Sequence, residues 1–330
     1  MTRYVVIGAG ALGGLLAAEL HDTGLSSVLV ARGAHGEAIA SYGLRVRRPL
    51  STDVIEVPVV SGPDDLELQP DDVLVLAVKT QDVEEVLRTW SWLPVAGGGV
   101  AADLPVLTLQ NGLATEEAVL RRFGEVYAAT AWIAVSHLTP GEIVSPSWPS
   151  VGVVWLGRHH GGTDERAEQI AADLRHARFA ATAVRDVARW KAHKLRGNIV
   201  NGLDLFAGDE VDLLEAGRLL LAELDDVYAA AGIDPVDPEA EGIELPPLKI
   251  DAVPGHEIHR RSTWQSFARG AGSEVDYLNG EVVLLGRRHG VPTPVNEALQ
   301  RVLGARSAST SSTDPIDVRV LLDAALLPTP

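Results

Sequence analysis

The sequence contains no cysteine, which excludes disulfides, thiol nucleophiles and cysteine-built zinc sites and leaves the redox compartment undetermined. It also lacks any apolar run approaching the ~20 residues of a membrane-spanning helix, so we expect no membrane insertion and a cytoplasmic location. Acidic residues outnumber basic ones by 45 to 28, and the formal charge is −17. Because a nucleic acid would be repelled on average, we do not expect one as a partner.

Lysine is scarce too, since arginine supplies most of the 28 basic residues. The four lysines are Lys79, Lys191, Lys194 and Lys249. A lysine can lose its proton at an attainable pH and an arginine cannot, so these lysines are candidates for acid/base chemistry. The plain alternative is that a few lysines survive in an arginine-biased composition. A P-loop Gly-Lys pair, a Tyr-xxx-Lys and an HExxH motif are all absent from the sequence.

Near its start the sequence reads YVVIGAGALGG. This pattern predicts a buried strand, a glycine-rich turn and then an apolar helix. In a dinucleotide-binding loop of this kind, Gly8 makes the turn, Gly10 lets the backbone approach a pyrophosphate, and Gly13 lets helix and strand pack closely. The N–H groups at the start of the helix then face the anion. We therefore predict that the cofactor is bound by Gly8, Ala9, Gly10, Ala11, Leu12 and Gly13.

Polar residues follow three further strands of the predicted parallel sheet, whose carboxyl edge is where such sheets bind ligands. Arg32 follows the second strand, where NAD-specific proteins carry an acidic residue, and a guanidinium there favours the 2′-phosphate of NADP(H). Lys79 follows the strand DVLVLAV, and Asn111 follows the strand ending at Leu109. An exposed arginine and a simple Asn-Gly turn are the structural alternatives.

The length of 330 residues suggests about two domains, and the patterning changes near Arg185. The predicted fold is α/β, with an N-terminal Rossmann-type doubly wound sheet over 1–184 and an all-helical C-terminal domain over 185–330. Residues 126–156 are predicted to extend the sheet in antiparallel fashion, and 234–254 to form a surface loop. The stretch 305–330 is predicted to be a linker over 305–313 followed by an apolar docking tail over 318–327. His159 and His160 are interpreted as a solvated loop, because neighbouring strand residues point to opposite faces.

Two stretches of the helical domain carry candidate chemistry. A helix predicted over 187–206 contains KLRGNIVN, which places Lys194, Asn198 and Asn201 at positions i, i+4 and i+7 on one stripe. Ser262 is predicted in one helix and Glu274 at the start of another. From spacing alone, a solvated helix face explains the stripe as well as a site does. The helix dipole alone is the preferred explanation for Glu274.

Taken in order, GAGALGG, LAVKTQ, LQNG, KLRGNIVN and SEVDYLNG resemble the ketopantoate reductase (2-dehydropantoate 2-reductase) family over about residues 4–304. The resemblance implies NADPH-dependent reduction of a 2-keto acid in a cleft between a Rossmann domain and a helical domain. It leaves a homodimer open as the assembly.

The resemblance also implies roles for individual residues. Lys194 matches the catalytic lysine that donates a proton to the keto oxygen, and Glu274 matches the acidic residue beside it. Asn198 and Ser262 match substrate-binding positions, Asn201 is assigned to the substrate as well, and Asn111 is assigned to both substrate and cofactor. Arg32 and Lys79 match cofactor-side positions, and no metal ligand is implied.

Three positions depart from the family pattern. Gly202 stands where a second asparagine is usual, with Asn201 one residue earlier, and Trp264 and Ser266 stand where an aliphatic residue and an acid are usual. These differences leave open whether ketopantoate or a related ketone is the substrate. Two alternatives remain, namely an opine-type or hydroxyacid dehydrogenase on the same plan and a non-catalytic NADP(H)-binding protein.

Overall fold

The computed structural model describes residues 2–256, 261–270, 272–309 and 312–326. The strands are β1 Arg3–Ile7, β2 Ser26–Val30, β3 Leu44–Arg47, β4 Thr52–Ile55, β5 Val59–Val60, β6 Asp72–Leu76, β7 Val106–Thr108, β8 Val126–Trp132, β9 Glu142–Val144, β10 Ser147–Pro149, β11 Val153–Arg158, β12 Ala180–Ala183, β13 Phe206–Ala207, β14 Leu248–Ile250 and β15 Ile316–Asp317. The helices are α1 Ala11–Asp22, α2 Gly33–Tyr42, α3 Val83–Trp90, α4 Thr115–Leu120, α5 Glu165–His176, α6 Val187–Asn198, α7 Glu210–Ala231, α8 Ser262–Ala268, α9 Asn279–His289, α10 Pro294–Ser309 and α11 Arg319–Ala325.

The chain forms two compact units that are not continuous in sequence. The first comprises Met1–Gln110, Thr115–Ala188 and Pro238–Ile258, and the second comprises Asn111–Ala114, Arg189–Asp237 and His259–Pro330. The division after Ala188 lies four residues beyond the predicted boundary at 184. Two segments were not predicted to change unit: Asn111–Ala114 belongs to the second unit, and Pro238–Ile258 belongs to the first.

The first unit contains an eight-stranded sheet with the order β12-β11-β8-β7-β6-β1-β2-β5. The pairings from β5 through β8 are parallel, β11 runs antiparallel to β8, and β12 is parallel to β11. The predicted antiparallel extension is therefore correct for β11 but wrong for β8, which continues the parallel sheet. β9 pairs instead with β3 in a separate small sheet, and its residue Val144 bonds back to Ser136.

The large sheet is buried on both faces, which explains the continuous apolar runs of its strands. In β1, Tyr4 and Val6 contribute to one core cluster, and Val5 and Ile7 contribute to the other. Helices α1 and α5 pack on the first face, and α3 and α4 pack on the second. This arrangement is the predicted doubly wound fold.

The second unit is predominantly helical, and its core joins residues from α6, α7, α9, α10 and α11. Leu195 and Ile199, Leu220 and Leu224, and Leu299 and Leu303 are all fully buried in this core. The predicted linker over 305–313 is wrong at its start, because α10 continues to Ser309. The predicted docking of the tail is consistent with α11, whose Leu321 is buried in the core.

The segment predicted as a loop over 234–254 contains β14, which pairs antiparallel with β10. Three backbone positions, Ser147, Trp148 and Pro149, oppose Ile250, Lys249 and Leu248. A strand of this length is too short to show an alternating pattern in the sequence. It is formed by pairing with a strand about a hundred residues away, so local patterning did not predict it. Among the described residues, no helix combines the length and apolarity needed to cross a membrane.

Candidate active site

The glycine loop has the geometry that the sequence predicts for each glycine. Gly8 has φ of +110°, and a Cβ there would lie 2.8 Å from the backbone nitrogen of Val78. A Cβ on Gly13 would lie 2.0 Å from the carbonyl oxygen of Gly8, so helix α1 can pack on the turn only without a side chain. A Cβ on Gly10, the residue that caps α1, would meet nothing within 4 Å. The open side of Gly10 therefore leaves room for a ligand at the helix N-terminus.

A cavity of about 270 Å³ adjoins this loop at the carboxyl ends of β1, β2 and β6. Its walls include Gly8, Arg32, Ser61, Glu85 and Trp90. Arg32 caps the N-terminus of α2, and its Nη1 lies 3.4 Å from Oε1 of Glu85 on α3. The cavity therefore offers a backbone anion site beside a guanidinium that is already paired with a carboxylate, a donor set that fits a phosphorylated dinucleotide.

Lys79 lies next to Val78 of the cavity wall and precedes the short 3-10 helix Thr80–Asp82. Burial raises the pKa of Asp82, and the positive charges of Lys79 and Arg32 oppose that rise. The polypeptide after β6 is held by the buried Gln110, whose Nε2 donates to the carbonyls of Leu76 and Val78 at 2.9 Å each. Gln110 is thus a positioning residue that the sequence patterns did not identify.

Lys194 lies on α6 in the second unit. Its pKa is lowered to about 7, chiefly by burial and also by the ammonium of Lys191, while the carboxylate of Glu274 acts in the opposite direction. Lys191 is itself only 4% exposed, so its charge acts in a poorly solvated environment. A lysine that titrates near neutrality can donate and regain a proton at physiological pH, which is what a general acid requires.

Asn198, the last residue of α6, presents a buried amide. Its Nδ2 is solvent-inaccessible and has no hydrogen-bond acceptor among the residues that the structure describes. Such a group costs about 1–3 kcal/mol unless a ligand or water satisfies it. A keto acid carries the oxygen acceptors that this donor needs.

Asn201 does not share the helical stripe predicted for it, because α6 ends at Asn198 and Asn201 begins the 3-10 helix Asn201–Leu205. It nevertheless reaches Ser262, since its Nδ2 donates to the serine Oγ at 3.3 Å. Asn201 and Ser262, both predicted to bind substrate, are therefore neighbours, with Ser262 at the start of α8.

Gly202, where the family pattern carries an asparagine, packs tightly against the core. A Cβ at this position would lie 2.9 Å from Leu303 Cδ1 and 3.1 Å from Leu299 Cδ2, both in the core. A polar side chain could not fit there without displacing these leucines. The amide nearest this position in the chain is that of Asn201, which bonds to Ser262.

Glu274 precedes the 3-10 helix Val275–Tyr277, and its charge acts on both Lys194 and Arg269. The loop from Asn111 packs close by, because a Cβ on Gly112 (φ +80°) would lie 2.5 Å from the carbonyl oxygen of Tyr277. Asn111 therefore belongs to the unit that contains Lys194 and Glu274, whereas Gly8–Gly13, Arg32 and Lys79 belong to the other.

The remaining departures from the family pattern lie on α8. Ser266 is buried and donates from Oγ to the carbonyl of Ser262 at 2.9 Å, so the position usual for an acid is neutral and internally bonded. Trp264 is half-buried against the helical core. The chain just after α6 is held by Asn279, whose Nδ2 donates to the carbonyl of Ile199 at 2.9 Å.

The family model described as ketopantoate reductase PanE/ApbA matches residues 4–161, and the model for the C-terminal domain of that family matches residues 196–307. The chain belongs to the ketopantoate reductase family. It is accordingly an oxidoreductase.

Curated and solved members of the family cover almost the whole chain. The 2-dehydropantoate 2-reductase of Archaeoglobus fulgidus is 28% identical over 305 residues, which span 90% of this chain and 95% of that protein. The crystal structure of 2-dehydropantoate 2-reductase from Methylococcus capsulatus is 26% identical, with a TM-score of 0.71 and coverage of 94% and 99%. A D-mandelate dehydrogenase solved with NADH and anilino(oxo)acetate shares the fold at 22% identity, with a TM-score of 0.76 and the same coverage.

Proposed function

We propose that this ketopantoate reductase family member uses NADPH to reduce a 2-keto acid to the corresponding 2-hydroxy acid, with ketopantoate or a related compound as substrate. The observation that carries the proposal is the juxtaposition, in one unit, of a desolvated lysine with a pKa of about 7, an adjacent carboxylate and a buried amide donor without an acceptor among the described residues. The family relatives named 2-dehydropantoate 2-reductase support the same substrate class.

The proposal assigns cofactor binding to the first unit. The pyrophosphate binds at Gly8–Gly13, and Arg32 binds the 2′-phosphate, with Lys79 adding positive charge nearby. When bound, the dihydronicotinamide supplies a hydride to the keto carbon, and this chemistry belongs to the cofactor.

Substrate binding and proton transfer are assigned to the second unit. The Lys194 ammonium donates a hydrogen bond to the keto oxygen, stabilises the charge that develops there, and transfers its proton to form the hydroxyl. Glu274 orients the ammonium and favours its charged form. Asn198 and Asn111 hydrogen-bond the substrate, and Ser262 with Asn201 holds its carboxylate.

The direct test is the rate of NADPH oxidation by the purified protein with ketopantoate and a panel of aliphatic and aromatic 2-keto acids, with NADH for comparison. We expect turnover with at least one 2-keto acid and preference for NADPH. Lys194→Ala should lower kcat/KM by ~10²-fold or more. Lys249→Ala is the matched control, because Lys249 lies on β14 and packs over Trp148.

The alternatives give different results in the same assay. Turnover that survives Lys194→Ala would contradict the assigned acid. NADPH binding without oxidation across the panel would indicate a non-catalytic binding protein, and turnover that requires an added amine would indicate an opine-type dehydrogenase. A preference for NADH would overturn the role given to Arg32.

A further inference from the structure

The turn that follows β11 brings two neighbouring histidines to the same side of the chain. His160 has φ of +73°, and the next two residues, Gly161 and Gly162, have φ of +100° and +96°. The turn is closed by hydrogen bonds from Gly161 N to Arg158 O at 2.9 Å and from Arg158 N to Gly162 O at 3.0 Å. As a result the imidazole centroids of His159 and His160 are 4.2 Å apart. The two residues lie in a turn, in agreement with the predicted loop, but the expectation that they point to opposite faces is wrong.

A left-handed conformation is unusual for a residue other than glycine and costs of order 1–3 kcal/mol. Asparagine, aspartate and histidine adopt it more readily than most residues. Here this conformation places the second imidazole beside the first, which an extended backbone would not do.

A third donor comes from helix α4. Oε1 of Glu117 lies 3.3 Å from Nε2 of His159 and 3.9 Å from Nε2 of His160, and the three donor atoms all lie within 4.8 Å of one another. In a tetrahedral zinc site, bonds of about 2.0–2.1 Å put neighbouring donor atoms roughly 3.3 Å apart. The separations in the cluster, 3.3 Å, 3.9 Å and at most 4.8 Å, exceed that spacing by no more than about 1.5 Å, which side-chain rotation can remove.

The exposure of the three side chains suits a site that takes up an ion from solvent. His159 is 15% exposed and is held in place, whereas His160 and Glu117 are 60% and 65% exposed and can adjust. The backbone N–H of His159 donates to Val126 O at the amino end of β8. Because β8 and β1 run parallel in one sheet, this edge is opposite to the edge that bears the glycine loop.

We propose that Glu117, His159 and His160 form a surface site for Zn²⁺ or another late first-row divalent cation, apart from the cofactor cavity. Two imidazoles and one carboxylate match the ligand preferences of these ions, whereas Mg²⁺ and Ca²⁺ require mainly oxygen ligands. The bound ion would connect α4 to the end of β11. The site does not depend on the proposed keto-acid reduction.

The test uses the full-length protein without a polyhistidine tag, after treatment with a chelator. Titration with Co²⁺ is followed by visible absorption, and Zn²⁺ binding is measured by calorimetry. We expect one ion per chain, and thermal unfolding at a higher temperature when Zn²⁺ is present, because an ion that binds only the folded state stabilises it.

The site variants are His160→Asn, which keeps a residue that tolerates the left-handed backbone, and Glu117→Gln. Each should weaken Zn²⁺ binding by at least ~10-fold and reduce the thermal shift. The control is His176→Ala, which removes an exposed histidine that contacts the carbonyl of Thr23. Binding that survives both site variants, or that is lost equally in the control, would overturn the proposal, and so would the absence of binding at micromolar Zn²⁺.

Discussion

The pH dependence of turnover gives the sharpest test of the proposed acid. Only the protonated form of Lys194 can donate, and its pKa of about 7 lies well below the ordinary lysine value of 10.5. Below about pH 7, kcat/KM for keto-acid reduction should be constant, and above it the value should fall tenfold per pH unit. At about pH 9, two units above the pKa, the rate constant should be ~100-fold below its plateau. A lysine with an unshifted pKa would show almost no loss at that pH.

Two substitutions should move this midpoint in opposite directions. Lys191→Gln removes a positive charge that lowers the pKa of Lys194, so the midpoint should shift to higher pH. Glu274→Gln removes a negative charge that raises that pKa, so the midpoint should shift to lower pH.

The assay is kcat/KM for the best 2-keto acid at saturating NADPH, measured across the pH range in buffers of constant ionic strength. Lys249→Gln serves as a control for a general change of charge, and its profile should match the unmodified protein. A profile that stays flat to about pH 9, or a shift in the same direction for both variants, would refute the assignment of Lys194 as the titrating acid.

Three further predictions concern the proposed cofactor and substrate sites. Gly13→Ala should unfold at a clearly lower temperature, because its Cβ would lie 2.0 Å from a carbonyl oxygen. Gly10→Ala should keep its thermal stability, since its Cβ meets no protein atom within 4 Å, and should lose NADPH affinity, which calorimetry measures. Glu85→Gln should tighten NADPH binding about three- to tenfold relative to NADH, since it frees the guanidinium in the cofactor cavity. Glu84→Gln on the same helix is the control and should change neither affinity, because Glu84 pairs with Arg122 instead. Ser262→Ala should raise KM for the keto acid and leave the Kd of NADPH unchanged, and an equal loss of both would contradict its place in the substrate site.

Local rules predicted much of the first unit. The apolar runs of β1, β2 and β6 and the spacing of Gly8, Gly10 and Gly13 are each determined by residues next to one another in the chain. The roles of these glycines agree with the space around them in the structure. The switch from sheet to helical periodicity likewise indicated a change near residue 184, four residues before the division after Ala188, but not the two segments that cross between the units.

Three features of the structure were not predicted, because they depend on remote contacts, on burial or on a single unusual backbone conformation. The end of α6 depends on Asn279, which is remote in sequence, so Asn201 could not be placed relative to Lys194 by counting helical turns. The depressed pKa of Lys194 depends chiefly on burial, which the three-residue spacing between Lys191 and Lys194 does not reveal. The side-by-side histidines result from a left-handed residue that no periodicity predicts.

The pairing of β10 with β14 also affects how this protein can be divided. The first unit includes Pro238–Ile258, and the second includes Asn111–Ala114, so each unit is assembled from separate stretches of the polypeptide. A fragment that stops at Ala188 would leave the edge of β10 without its partner. Genetic exchange of whole domains with a relative would therefore have to transfer several segments together, and a single crossover in the gene would leave both products incomplete.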